Sequence, residues 1–241
     1  MFYETVIENK TAERKQLAIL IDPDKQSQES LSGFIALLQQ YTPDYIFVGG
    51  SFVYKSLDDC IKPLKASLNI PIVLFPGNAA QFSPQADALL FLSLLSGRNA
   101  DYLIGQHVKA ALNIKKSAIE VVPTAYLLIE SGEITAVERA SHTQPISRKD
   151  IEIAVSTALA GQYMGNKLIY LEGGSGAKRP VPMDMIRAVK NSISIPLIVG
   201  GGLKTKKDVE NAFSAGADMV VVGNALESNV NFIKELIEVC K

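Results

Sequence analysis

Cysteine is almost missing from this chain: Cys60 and Cys240 are the only two among 241 residues. They form no CxxC pair, so neither a zinc site nor a disulfide framework organises the fold, and a reducing, cytoplasmic setting is expected. An excess of charge of one sign is missing too. Lys and Arg number 24 against 25 Asp and Glu, for a formal net charge of −1. That balance gives no general attraction to nucleic acid or an anionic membrane, so a bound anion must be met by a local site. No apolar run approaches the roughly 20 residues of a membrane helix; the greasiest, 86–95, contains Asp87. The first residues, MFYETVIENK, are partly acidic and lack the apolar stretch of a secretory signal, so none is expected. No Pro-, Ser- or Gly-rich linker splits the chain, which predicts a single domain over residues 1–241. Asp58 and Asp59 lack the third acid of a DDxxD diphosphate motif and read as a solvated helix face. His107 and His142 stand in unrelated segments without ligand or triad spacing, and no chemistry is assigned to them.

What the sequence does contain is a repeated unit. Short apolar runs lie at 17–21, 45–48, 72–75, 88–92, 119–122, 167–171, 197–199 and 219–222. They are continuous rather than alternating, as parallel strands covered on both faces require. Helical patterns follow at 30–40 (with Asp24 and Ser27 as cap candidates), 57–67 (interrupted by Pro63), 151–161, 183–191, 205–215 and 231–240. Residues 75–86, rich in Pro, Gly, Asn and Gln, predict a loop or a weakened helix in the third helical position. Strands alternating with helices pair in parallel through right-handed crossovers, and eight such units close a (β/α)8 TIM barrel. An open doubly wound sheet is the competing architecture, but no GxGxxG follows the first run.

Glycine clusters mark the ends of the last three strands. Gly200-Gly201-Gly202 follows the seventh, and Gly223-Asn224 follows the eighth. Without Cβ atoms their backbone N–H groups can approach an anion closely, at the position where barrels grip phosphate. At the sixth strand end, Tyr170-Leu171-Glu172 leads into Gly173-Gly174-Ser175-Gly176. A carboxylate leaving an apolar strand is costly to bury without a partner, so Glu172 is expected in the barrel mouth as a base or a hydroxyl ligand. Asp22 and Ser51 end the first two strands and, with water and substrate oxygens, form a hard oxygen shell suited to Mg²⁺. Read alone, Asp22 beside Pro23 is better explained as a helix or turn cap.

The stretches LIDPDK (20–25), FVGGS (47–51), FPGN (75–78), LLSGRN (94–99), YLEGGSGA (170–177), VGGGLKT (199–205) and VGNALE (222–227) together resemble the geranylgeranylglyceryl phosphate synthases and their heptaprenyl-transferring relatives. The resemblance implies a Mg²⁺-dependent prenyltransferase. Its partners would be sn-glycerol 1-phosphate and a polyprenyl diphosphate of about geranylgeranyl length, and it would work as a homo-oligomer (dimer or hexamer). It implies Asp22 and Ser51 at the metal, with Tyr170, Leu171, Glu172, Gly173, Gly174, Ser175, Gly176, Gly201, Gly202, Gly223 and Asn224 around the glycerol phosphate. Glu172 and Tyr170 would be the catalytic pair. Two positions depart from the family pattern: Leu20 stands where some members carry Lys, and Gly173 where Ala is common. Tyr102 is a candidate to close the far end of a prenyl pocket. The competing readings are a phosphosugar isomerase or epimerase, which needs no apolar groove beside its phosphate site, and an inactive phosphate-binding barrel.

Overall fold

The computed structural model describes residues 1–240. Eight parallel strands close on themselves in chain order: β1 Gln16–Ile21, β2 Tyr45–Gly50, β3 Ile72–Pro76, β4 Ala88–Leu94, β5 Glu120–Leu128, β6 Leu168–Glu172, β7 Leu197–Gly200 and β8 Met219–Val222. The closing pair sets Ala18 against Val221 and Ile19 against Val222, so β1 lies beside β8. This is the (β/α)8 barrel that the alternating pattern predicts.

The apolar runs are continuous because each strand serves two cores. Ala18, Phe47, Val73, Leu90, Leu168 and Tyr170 fill the barrel, while Leu17, Ile46, Ile72, Leu89, Ile169 and Leu171 meet the outer helices. Those helices are α2 Gln28–Gln40, α3 Leu57–Ser67, α4 Gln106–Lys115, α5 Ala136–Ser141, α6 Ile151–Tyr163, α7 Met183–Ser192, α8 Lys206–Ser214, α9 Asn224–Ser228 and α10 Phe232–Cys240, after an N-terminal α1 Phe2–Thr11. Ser27 caps α2 by accepting the Ser30 N–H at 3.0 Å. Thr205 caps α8 through the Asp208 N–H at 3.1 Å. Pro63 sits within α3 without ending it.

Three features depart from the sequence expectations. β5 runs on to Leu128 instead of stopping at 122. Pro123 is tolerated because its carbonyl accepts from the N–H of Lys167, just before β6 begins, so its missing donor would have faced no ladder partner (2.8 Å). The helix α1, unforeseen as an element, plugs the bottom of the barrel. Phe2 and Val6 are buried there, Phe2 meets Tyr45 edge-on at 4.9 Å, and Glu120 accepts the Phe2 and Tyr3 N–H groups at 2.6 and 3.1 Å. The helix α4, also unforeseen, continues from a π-helical turn at Asp101–Gly105.

No helix forms between β3 and β4. There the buried Gln81 donates to the Gly50 carbonyl at 2.9 Å and accepts the Gly77 N–H at 3.1 Å, pinning a loop across the barrel rim. With that helix missing, Phe91 and Ser93 on the outer face of β4 are only partly covered.

The plug generates a prediction. Phe2→Ala should cost about 3 kcal/mol, read as a lower denaturation midpoint at unchanged m-value. A change under about 1 kcal/mol would show that α1 does not seal the core.

Candidate active site

Two spaces meet at the C-terminal mouth. One, the more polar of the two, is a cavity of about 550 Å³ bordered by the loops after β1, β6, β7 and β8. The other is a narrow apolar groove of about 100 Å³ that leaves the mouth under the β3–β4 loop and descends between β4 and α4. Gly50, Ser51, Phe75, Tyr126 and Val137 border both. The shared wall is aromatic, with Tyr170 5.4 Å from Phe75 and 5.3 Å from Tyr126 between ring centres.

Glu172 sits at the centre of the polar cavity's wall and is 5% exposed. Its register opposite Leu128 and Gly200 fixes it at the strand end, facing the mouth. One carboxylate oxygen accepts the Gly174 N–H at 2.6 Å. Burial pushes its carboxyl up to about 7, while the Gly174 N–H and, less, the nearby Tyr170 hydroxyl favour the anion. The Tyr170 hydroxyl is wholly buried and makes no hydrogen bond of good geometry among the described residues. Burial and the Glu172 charge push Tyr170 far above the usual phenol range, so it remains a donor at any working pH.

The glycines around Glu172 are there for space and conformation. Gly201 and Gly202 adopt φ of +75° and +73°, which side chains rarely accept. A Cβ on Gly201 would fall 2.1 Å from the Glu172 carboxylate and 2.6 Å from the Gly174 nitrogen. A Cβ on Gly202 would strike the Arg179 carbonyl at 2.8 Å, so bulk there displaces the 179–180 backbone as well as any ligand. Gly223 has an ordinary φ of −126° and caps α9, whose first N–H groups border the cavity. Asn224 and Ser175 face each other at 3.3 Å, joining the β8 and β6 loops. Gly174 and Gly176 also border the cavity.

Leu171 and Gly173 depart from expectation, since neither borders the cavity. Strand alternation turns Leu171 outward into the helix-facing core, and Gly173 lies against the Gly201 backbone.

Asp22 caps the short 3-10 turn Pro23–Lys25, accepting the Asp24 N–H at 3.1 Å with one oxygen. Its other oxygen faces Gly50, where a Cβ would approach it to 3.4 Å. Burial raises its carboxyl above the usual range, partly offset by the Asp24 N–H and by Lys25. Lys25 stands 3.9 Å from Asp22 and 3.0 Å from Glu227. Among the described residues no three acidic, His or Cys side chains gather as a metal cage. A half-buried carboxylate whose second oxygen meets only Lys25 among the described residues, at 3.9 Å, beside Ser51 at the next strand end, nonetheless fits a hard cation that takes most of its shell from substrate and water. Barrel closure sets β1 beside β8, and Asp22 and Gly223 border one cavity.

Sequence reasoning missed three features: Tyr126, because the fifth strand was read too short; Lys204 on the cavity wall; and His107 on the groove wall. The His107 ring meets Phe91 edge-on at 4.4 Å, and its Nε2 is 3.1 Å from the Ser93 hydroxyl. Tyr102 borders the groove. Its hydroxyl donates to the Ala140 carbonyl at 2.9 Å and its ring joins the barrel-interior core, whereas the groove residues Leu89 and Ile114 belong to the helix-facing core.

Fold and site together define a (β/α)8 barrel whose glycine-lined polar cavity opens onto an apolar groove. The chain belongs to the PcrB family, whose model matches residues 9–240. It is 48% identical over 231 residues to the geranylgeranylglyceryl phosphate synthase of Flavobacterium johnsoniae, covering 95% of each chain. It is 42% identical over 226 residues to the enzyme of that name from Thermococcus kodakarensis, covering 93% of this chain and 89% of the relative. Among solved structures it resembles (S)-3-O-geranylgeranylglyceryl phosphate synthase from Thermoplasma acidophilum in complex with sn-glycerol-1-phosphate. The TM-score is 0.92 at 35% identity, over 99% of this chain and 98% of the other.

Glu172 links the site to stability. The unfolded chain releases its proton near 4.5 and the folded chain near 7, so between them the folded state binds the extra proton and loses stability as pH rises. The loss should reach about 3 kcal/mol once the pH passes the folded value. Glu172→Gln should therefore melt several degrees above wild type at about pH 9 and level with it at about pH 4. A constant difference across that range would refute the buried-acid assignment.

Proposed function

We propose that this chain joins the 3-hydroxyl of sn-glycerol 1-phosphate to a polyprenyl diphosphate of about geranylgeranyl length through an ether bond, releasing pyrophosphate. The observation that carries the reading is the aromatic wall shared by the polar cavity and the apolar groove. An isomerase or epimerase of phosphosugars has no use for that groove. The named relatives support the same reading.

The residues divide the work as follows. The N–H groups around Gly201, Gly202 and Gly223 cradle the glycerol phosphate, and a dianion there is favoured by the α9 N-terminus. Glu172, with its raised pKa, accepts the proton of the attacking hydroxyl as the O–C1 bond forms and the C1–diphosphate bond breaks. Tyr170, held neutral, keeps a hydroxyl donor, unpaired among the described residues, near the carboxylate, available to Glu172 or to the bound acceptor. Asp22 and Ser51 would hold Mg²⁺, which supplies charge neutralisation at the leaving diphosphate. The prenyl tail follows the groove toward Leu89 and Ile114, and these residues rather than Tyr102 set its length. We also propose assembly as a homo-oligomer through α6, which exposes Ile153 and carries Tyr163 and Met164 exposed at its C-terminal end.

Labelled glycerol 1-phosphate incubated with a ladder of polyprenyl diphosphates and Mg²⁺ should yield the ether product, with preference near geranylgeranyl length. Absence of product from every donor would overturn the function. Asp22→Ala should abolish turnover. Glycerol phosphate affinity by calorimetry should be unchanged or tighter, because a carboxylate has left an anion's cavity. Weaker binding in that variant would contradict Asp22 as a ligand of the metal rather than of the acceptor.

A further inference from the structure

The π-helical turn Asp101–Gly105 and α4 form one continuous helical segment with apolar residues on both sides. His107, Ala110 and Ile114 point inward onto the groove. On the outer side Ile104, Val108 and Leu112, spaced by four, are 59%, 67% and 71% exposed. Residues so spaced form one stripe along a helix. Lys109, Lys115 and Lys116 accompany the stripe and are exposed. The segment's single acid, Asp101, is taken by Lys109 at 3.0 Å, and Lys115 and Lys116 make no ion pair among the described residues.

We propose that the outer face of α4 rests on an anionic lipid surface, setting the groove beside the bilayer. An exposed apolar stripe accompanied by lysines is the pattern of helices that lie in a membrane interface. The net charge of −1 gives the chain no general attraction to such a surface, so the contact must be local. Charge selects this occupant over a second copy. An α4-to-α4 contact would gather the lysines of both chains with only Asp101, already paired, to answer them. The proposal rests on the prenyl-transfer reading for its purpose: one helix would separate the membrane from the groove taking an apolar donor and would shorten that donor's path. The lipid contact itself is measurable without turnover.

The test is cosedimentation of the full chain with vesicles of phosphatidylcholine alone or mixed equally with phosphatidylglycerol. The exposed pair Val108→Ser/Leu112→Ser and the pair Lys115→Gln/Lys116→Gln are the variants. Wild type should bind the anionic vesicles and not the neutral ones. Each variant should lose about tenfold or more in partitioning, with far-UV dichroism, oligomeric mass and turnover of a short, water-soluble prenyl diphosphate unchanged. Failure of wild type to bind anionic vesicles would overturn the proposal. So would a fall in oligomeric mass in the serine variant, since a second copy then covers the stripe. Vesicle binding without turnover of any donor would sink the transferase reading and leave the lipid contact standing.

Discussion

A carboxyl group held out of water at the mouth of the barrel is the constraint around which the site is arranged. Glu172 ends an otherwise apolar strand, so its side chain must leave the hydrophobic interior yet remain under the rim. The rim meets it with backbone rather than side chains. Gly174 donates its N–H, and Gly201 keeps clear by lacking a Cβ. These glycines leave N–H groups lining the cavity and so favour an anion beside an acid of raised pKa. In the proposed reading, the same residues that allow the acid to be buried would also cradle a phosphate. The burial costs stability as pH rises toward and past about 7, and it leaves an acid that titrates near neutral pH.

The second determinant is a missing element. A regular barrel would cover β3 and β4 with a helix; here a loop pinned by Gln81 takes its place. The gap leaves the outer face of β4 half covered and opens the groove toward α4. Phe75 and Tyr126 stand where groove and cavity meet, with Tyr170 packed against both from the cavity side. A donor lying in the groove would bring its reacting carbon to this wall.

Much of the fold was legible because strands covered on both faces leave continuous apolar runs, and because Ser27 and Thr205 mark helix starts by a local mechanism. The loop after β3 was legible from its Pro, Gly and Asn content. α4 was not, because apolar side chains on both of its faces blur the amphipathic period. β5 was cut short at Pro123, whose tolerance depends on where its neighbour begins. Of the site, Glu172 and the glycines Gly201, Gly202 and Gly223 were legible as strand-end residues. The inward or outward facing of Leu171, and the adjacency of Asp22 to Gly223, depend on strand register and on closure of the barrel, which no local pattern encodes.

The most direct test of this account is the pH dependence of kcat/KM for ether formation in wild type and Glu172→Gln. The free enzyme's base governs that parameter. Wild type should rise with pH, level off above about 7 and show one limb that the variant lacks, with the variant slower by roughly a hundredfold or more. A variant that keeps both the wild-type rate and the limb near 7 would remove Glu172 from the chemistry and contradict the account at its centre.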